Sequence, residues 1–218
     1  MRILLAIPLL LATAPPLVRP ARAQARFDVV LTVQQNGREI GREEYSLSRA
    51  GARAGGSTLT ADAHYPGAGL RIEATLERTA DLGIAKFELD VQGPEGNLVI
   101  LAAGSGARLI VRSITKGSEA GREMPGGRDV VLLDDAVYSL YGAVADLASA
   151  SGAHLTAVFP RTRRVADFVA RREPGGDADA VRTRLTGDIT GTIVTDALGR
   201  VQRVELPAAG IVASRATK

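Results

Sequence analysis

Apolar and polar residues alternate with a period of two through most of this chain, in short runs separated by glycine-rich turns. That period places successive side chains on opposite faces of a strand, so each run is read as a strand with one buried and one wet face. Phe27, Val29, Leu31 and Val33 alternate with Asp28, Thr32 and Gln34. Asn36-Gly37 follows, a dipeptide suited to a tight hairpin because both residues tolerate positive φ. The next strand covers 40–47, with Tyr45 and Leu47 inward, and a third covers 57–64. In 70–77 the division is complete: Leu70, Ile72, Ala74 and Leu76 share one face, and Arg71, Glu73, Thr75 and Glu77 the other. Phe87, Leu89 and Val91 repeat it, and further strands are predicted over 97–103, 107–115, 130–133, 155–159, 163–171, 180–186, 191–196, 200–206 and 210–215. Turns fall at Pro174-Gly175-Gly176, Gly187 and Leu198-Gly199. Short segments joined by turns predict an antiparallel meander, not a βαβ fold.

Between 135 and 150 the period becomes helical. Val137, Leu140, Tyr141, Val144, Leu147 and Ala148 form one apolar stripe at i, i+3, i+4 spacing. Asp134 and Asp135 are N-cap candidates and Gly152 is a plausible stop. A lone amphipathic helix among so many strands has to bury its stripe, and the inner face of a curled sheet needs cover. The expected fold is mainly β with a minor α component. It is a curled antiparallel sheet or half-open barrel with one long amphipathic helix, about 135–150, packed on its concave face.

Residues 1–25 read as a secretory signal peptide. Arg2 gives the positive start, Ile3 to Val18 is mostly apolar, and Ala21-Arg22-Ala23 and Ala23-Gln24-Ala25 are small-x-small cleavage sites. Cleavage after Ala23 or Ala25 leaves one β-rich domain over 26–218, located in the periplasm or outside the cell. The apolar run is broken by Pro8, Pro15 and Pro16 and is short for a membrane span; retention as an uncleaved anchor is the alternative. The leader also changes the charge argument. It carries three of the 27 basic residues and no acid, so the mature chain is balanced at 24 against 24 despite a sequence pI near 9.6. The case for a nucleic-acid partner disappears with that excess. Arg161, Arg163, Arg164, Arg171 and Arg172 are dense enough for a local basic patch, read as a solvated strand face with an anionic partner as the alternative. With no cysteine, lipidation at a lipobox cysteine, disulfides and thiolate metal sites are excluded.

Candidate chemistry is sparse. His64 and His154 sit in no metal-ligand spacing, so no metal site or cofactor is expected. There is no Gly-x-Ser-x-Gly, Gly104-Ser105-Gly106 is a hairpin turn, and Ser139 in the helix, with His154 behind it, shows no mark of activation. Glu43 and Glu44 point to opposite faces and cannot act as a pair, while Asp134-Asp135 serve as caps. The glycine-rich stretches at 51–56 and 117–127 lack the context of a phosphate loop and are read as turns. Catalytic residues are therefore expected to be absent. Val137, Leu140, Tyr141 and Val144 are the candidate ligand-lining residues, ordinary core being the plainer reading. Tyr138 joins them, since with Tyr141 it brings a hydroxyl to orient a ligand's polar end.

The order of parts carries a resemblance. Asn36-Gly37-Arg38-Glu39-Ile40-Gly41 opens it, and Val130-Val131-Leu132-Leu133-Asp134-Asp135 leads into the Tyr-containing helix. Phe159-Pro160 ends a strand, and Asp196-Ala197-Leu198-Gly199-Arg200-Val201 with Glu205-Leu206-Pro207 closes the set. Nearly the whole mature chain resembles a group of poorly characterised exported bacterial β proteins. Some of these are similar in architecture to the lipoprotein-carrier half-barrel. That resemblance implies an apolar concavity able to hold an acyl chain or hydrophobic peptide, and it transfers no catalytic residue. The favoured expectation is an exported, non-enzymatic binding protein for an apolar or amphipathic, lipid-like ligand between sheet and helix. A structural or protein-interaction module of the envelope is the alternative, and a hydrolase the least favoured.

Overall fold

The computed structural model describes residues 28–49, 55–174 and 180–216. The expected leader, the start of the 51–56 stretch and the loop after Pro174 lie outside these residues. Among the described residues fifteen strands form one sheet. They are β1 (Val29–Gln35), β2 (Arg38–Arg49), β3 (Ser57–Tyr65), β4 (Leu70–Arg78), β5 (Ile84–Gly93), β6 (Gly96–Ser105), β7 (Arg108–Thr115), β8 (Ser118–Pro125), β9 (Val130–Leu132), β10 (Ala153–Phe159), β11 (Arg164–Glu173), β12 (Ala180–Gly187), β13 (Gly191–Asp196), β14 (Val201–Leu206) and β15 (Ile211–Arg215).

The order across the sheet is β8-β7-β6-β5-β4-β3-β2-β1-β15-β14-β13-β12-β11-β10-β9. Two antiparallel meanders are thus joined through β1 and β15, with Leu31 opposite Arg215 and Gln35 opposite Ile211. Only the last pair departs from the expected antiparallel pattern: β9 runs parallel to β10, with Val131 opposite Ala157. The free edges curl toward each other, so that Met124 of β8 and Pro160 and Arg163 beyond β10 line one small gap. The sheet is a nearly closed barrel, more closed than the half-open form expected. Alternation decides the inside: Leu31, Tyr45, Ile72, Phe87, Leu89, Ile100, Leu109 and Ile193 point inward and are all but inaccessible. Each such side chain contributes roughly 1.5–3 kcal/mol relative to exposure.

The pairing places the turns at 36–37, 66–69, 94–95, 116–117 and 160–163 at one end of the barrel, here the upper rim. Two of the connections at this end are copies of one motif. Pro66–Ala68 and Pro207–Ala209 are single 3₁₀ turns, each closed by a left-handed glycine, Gly69 (φ 58°) and Gly210 (φ 64°), a backbone that only glycine adopts freely. They flank the β1–β2 hairpin, whose Asn36 N–H donates to the Gly210 carbonyl at 2.8 Å.

The expected helix over 135–150 is corrected. Val137 is extended (φ −131°, ψ 97°), Tyr138–Tyr141 is a 3₁₀ turn, and only α1 (Gly142–Leu147) is α-helical before Ala148 becomes extended again. The cause lies in the environment. Every residue from Ala136 to Ala145 is buried, because this stretch runs through the barrel interior from the upper rim to the lower one. Surrounded by wall on all sides, it has no wet face, and the apolar stripe reflects burial rather than amphipathicity. This inner segment is also what carries the chain from β9 to the parallel β10.

Candidate functional site

The five residues expected to line a ligand site lie on the inner segment, and all are core. Val137, Leu140 and Val144 have no accessible surface, Tyr141 has 2% and Tyr138 3%. The gap between segment and wall, bounded by Tyr45, Leu59, Ser139 and Ala143, holds only about 20 Å³ and none of the five borders it. Tyr138 stacks on Tyr141 with ring centroids 6.4 Å apart, and its hydroxyl donates to the Asp135 carbonyl at 2.9 Å. Burial pushes both phenols well above the usual tyrosine range, so each stays neutral.

The inner segment is tied at both ends by polar groups. At the top, Asp134 receives a fork of two hydrogen bonds from Arg161, at 2.7 and 2.8 Å, and accepts the Ala136 N–H at 2.9 Å. Asp134 is 1% exposed, and its hydrogen bonds hold the Arg161 guanidinium above the ordinary arginine value. The expected capping role of Asp134-Asp135 is therefore corrected: Asp134 closes a local turn and anchors Arg161, while Asp135 pairs with Arg164. The cap comes from another strand. Glu43 on β2 accepts the Tyr138 N–H at 2.6 Å and the Ser139 N–H at 3.0 Å, one on each carboxylate oxygen. Tyr65 on β3 donates to the Ala136 carbonyl at 2.8 Å, and Tyr45 on β2 to the Val201 carbonyl at 2.7 Å. At the bottom, Asp146 of α1 is shared by Arg49 at 2.8 Å and Arg78 at 3.0 Å. Burial lowers the Arg78 pKa, which the charge of Asp146 opposes.

Glu43 was not singled out in the sequence beyond its opposition to Glu44, yet it shares the inward parity of Tyr45 two residues on. It is fully buried, and burial pushes its carboxyl up to about 7, against the lowering effect of the Ser139 hydroxyl and the two amides, with the charge of Asp134 adding a further rise. The Ser139 hydroxyl lies close enough to favour the carboxylate but makes no well-formed hydrogen bond.

Two large hollows open at the upper rim. One, of about 800 Å³, is lined by Gln35, Arg38, Ile40, Gly41, His64 and Tyr65. The other, of about 790 Å³, lies inside the mouth over β4–β7, where Leu70, Val91 and Leu98 form an apolar wall and Asn97, Lys116 and Arg161 bring polar groups. Val91 and Leu98 stand directly opposite each other across β5 and β6. Both volumes fall in the range that takes a small ligand.

The remaining candidates are dispersed. His64 and His154 are exposed on different strands, and no group of three His, Asp or Glu residues among the described residues has metal-binding geometry. The arginines of 161–172 do not form one patch: Arg161 is bound to Asp134 at the mouth, Arg164 stacks 3.6 Å over Phe159, and Arg172 reaches the Ala145 carbonyl inside the lower rim at 3.5 Å. No helix among the described residues is long and apolar enough to cross a membrane. No protein-family model and no curated protein matches the sequence. Among solved structures, a protein from Brucella abortus of domain of unknown function DUF1849, described as beta-barrel-like, is similar with a TM-score of 0.53 at 10% identity, covering 87% of this chain and 94% of that one. A DUF1089 family protein from Pseudomonas aeruginosa reaches 0.48 at 13% identity, over 77% of this chain and 90% of that one. At 10% identity the likeness to the Brucella abortus protein is one of fold, a barrel-like sheet in a family of unknown function.

Proposed function

We propose that this chain is an exported, non-enzymatic binding protein of the cell envelope that holds an apolar or amphipathic, lipid-like ligand in the mouth of its barrel. The reading rests on the hollow of about 790 Å³ whose wall is Leu70, Val91 and Leu98 and whose rim carries Asn97, Thr115 and Lys116. An apolar wall beside a few polar groups suits a ligand with a tail and a head. The ligand's place thus moves from the face of Val137, Leu140, Tyr141 and Val144, which the core occupies, to the open side of the barrel beside the inner segment. The resemblance to the lipoprotein-carrier half-barrel supports the same class of ligand. The leader-like residues 1–25 support export.

The test is native mass spectrometry of the full chain expressed with its leader and recovered from the periplasm. It is followed by titration of the delipidated protein with a fluorescent medium-chain fatty acid. A copurifying amphiphile or saturable binding, weakened about tenfold or more by Leu98→Arg, is the expected result. The absence of both a copurifying amphiphile and saturable binding would overturn the reading. A second reading, an interaction module, draws on β8, a sheet edge of eight residues on which only Met124 is buried. Pull-down from an envelope extract without copurifying lipid would favour it.

A further inference from the structure

The buried carboxylates of this barrel are not alike. Asp134 faces Arg161 and Asp196 faces Arg200, each with a closest contact of 2.7 Å. Glu43 is as deeply buried, and among the described residues no cation pairs with it. Its cross-strand neighbours are Leu31 on β1 and Ala63 on β3. The titratable groups around it are Tyr45 on its own strand, Tyr65 on β3, Tyr138 on the inner segment and Asp134 before it. The three phenols are kept neutral by burial, Asp134 adds a like charge, and Arg161 is already committed to Asp134. What holds the carboxylate is the inner segment itself, through the N–H groups of Tyr138 and Ser139. Beside it sits the Ser139 hydroxyl, buried and with no well-formed hydrogen bond among the described residues. When Glu43 gains a proton, its new O–H needs an acceptor, and the oxygen of that neighbouring hydroxyl can turn from facing the carboxylate as a donor to accepting from it.

We propose that Glu43 is a proton-operated latch, which seats the inner segment 137–147 most firmly in the barrel when protonated and loosens it as the pH rises from the acid range to neutrality. The sign follows from linkage. Lifting the segment off Glu43 admits water and returns the carboxyl to its ordinary value of 4.5, whereas in the closed barrel burial pushes it to about 7. The closed form therefore binds the proton more tightly. Between these two values the ratio of closed to open segment falls by about tenfold for each unit of rising pH, and above about 7 it is level. The inference needs only the segment and its strand contacts, and it stands whether or not a lipid-like ligand binds.

Hydrogen exchange of the full mature chain, read as protection factors for peptides over 138–147 and corrected for the intrinsic pH dependence of exchange, tests it. Protection should fall by on the order of a hundredfold between pH 5 and pH 8, and at each pH it should stay below that of the β4 and β5 amides, which open only with the whole barrel. Glu43→Gln should abolish the fall, and Glu44→Gln, on the outer face, should leave it intact. A flat profile in the wild type, an unchanged slope in Glu43→Gln, or protection over 138–147 equal to that of β4 and β5 at every pH would each overturn the latch. Should Glu43→Gln fail to fold, the carboxyl carbon of Glu43 can be titrated by NMR in the wild type. A midpoint above 6 supports the proposal and one near 4.5 overturns it.

Discussion

Leu140→Ala separates a closed core from a loosely filled ligand space. Leu140 has no accessible surface and sits in the 3₁₀ turn of the inner segment, enclosed by the barrel wall. Removing its three terminal carbons forfeits about 2–3 kcal/mol of transfer free energy. The void adds to this, because a wall of hydrogen-bonded strands collapses poorly, so a loss of about 3–5 kcal/mol is expected. Urea denaturation of residues 26–218, followed by far-UV circular dichroism with the slope compared to wild type, measures it. The void would be apolar and dry, so a small apolar solute such as benzene should restore part of the loss. A loss below about 1.5 kcal/mol, or no response to the solute, would refute the assignment of this segment to the core. It would return Val137, Leu140, Tyr141 and Val144 to the role of cavity lining.

Asp134→Asn should destabilise by about 3 kcal/mol, since it leaves the largely buried Arg161 without its fork of hydrogen bonds. The matched change Asp135→Asn, at the exposed pair with Arg164, should lower urea stability by less than about 1 kcal/mol. Gly41→Ala should cost about 1–3 kcal/mol, because a Cβ there would run into the Tyr65 ring and lie 2.6 Å from the His64 carbonyl. Loss of the Tyr65 hydrogen bond to Ala136 would show as a change in near-UV circular dichroism. Global stability should carry the mark of Glu43. A carboxyl raised from 4.5 to about 7 by folding contributes stability that is fully present below pH 4.5 and lost as the pH rises to about 7. The loss amounts to roughly 3 kcal/mol, measurable as the difference in pH dependence between wild type and Glu43→Gln.

Wherever one face of a strand is wet, the sequence pattern and the structure coincide. The strand expected at 70–77 is observed at Leu70–Arg78 and that expected at 191–196 at Gly191–Asp196, and Asn36-Gly37 makes its hairpin with both residues at positive φ. The pattern fails where this contrast is missing. The stretch 117–127 reads as a turn, but Ser118–Pro125 is strand β8, a sheet edge on which every residue except Met124 is exposed, so that it shows no apolar period. The inner segment fails the opposite way, since with no wet side its apolar spacing cannot distinguish a long helix from a broken one. At the site, the Leu70, Val91 and Leu98 wall is written in the alternation, but its grouping depends on the register of three strands. Glu43 was legible by parity alone. Its partners lie 95 and 96 residues away, a distance no local pattern spans.

The junction between the two meanders has a consequence for how the chain is made. β1 through β8 can pair in the order they emerge, but β1 finds its second neighbour only when β15 appears. Until then one long β1 edge stays open, and the inner segment, which touches strands of both halves, has no finished chamber to enter. Long-range closure of this kind is slow. A chain proposed to cross a membrane before folding gains from that delay: its architecture postpones the compact state until β15 has been made, and transport has that interval in which to act.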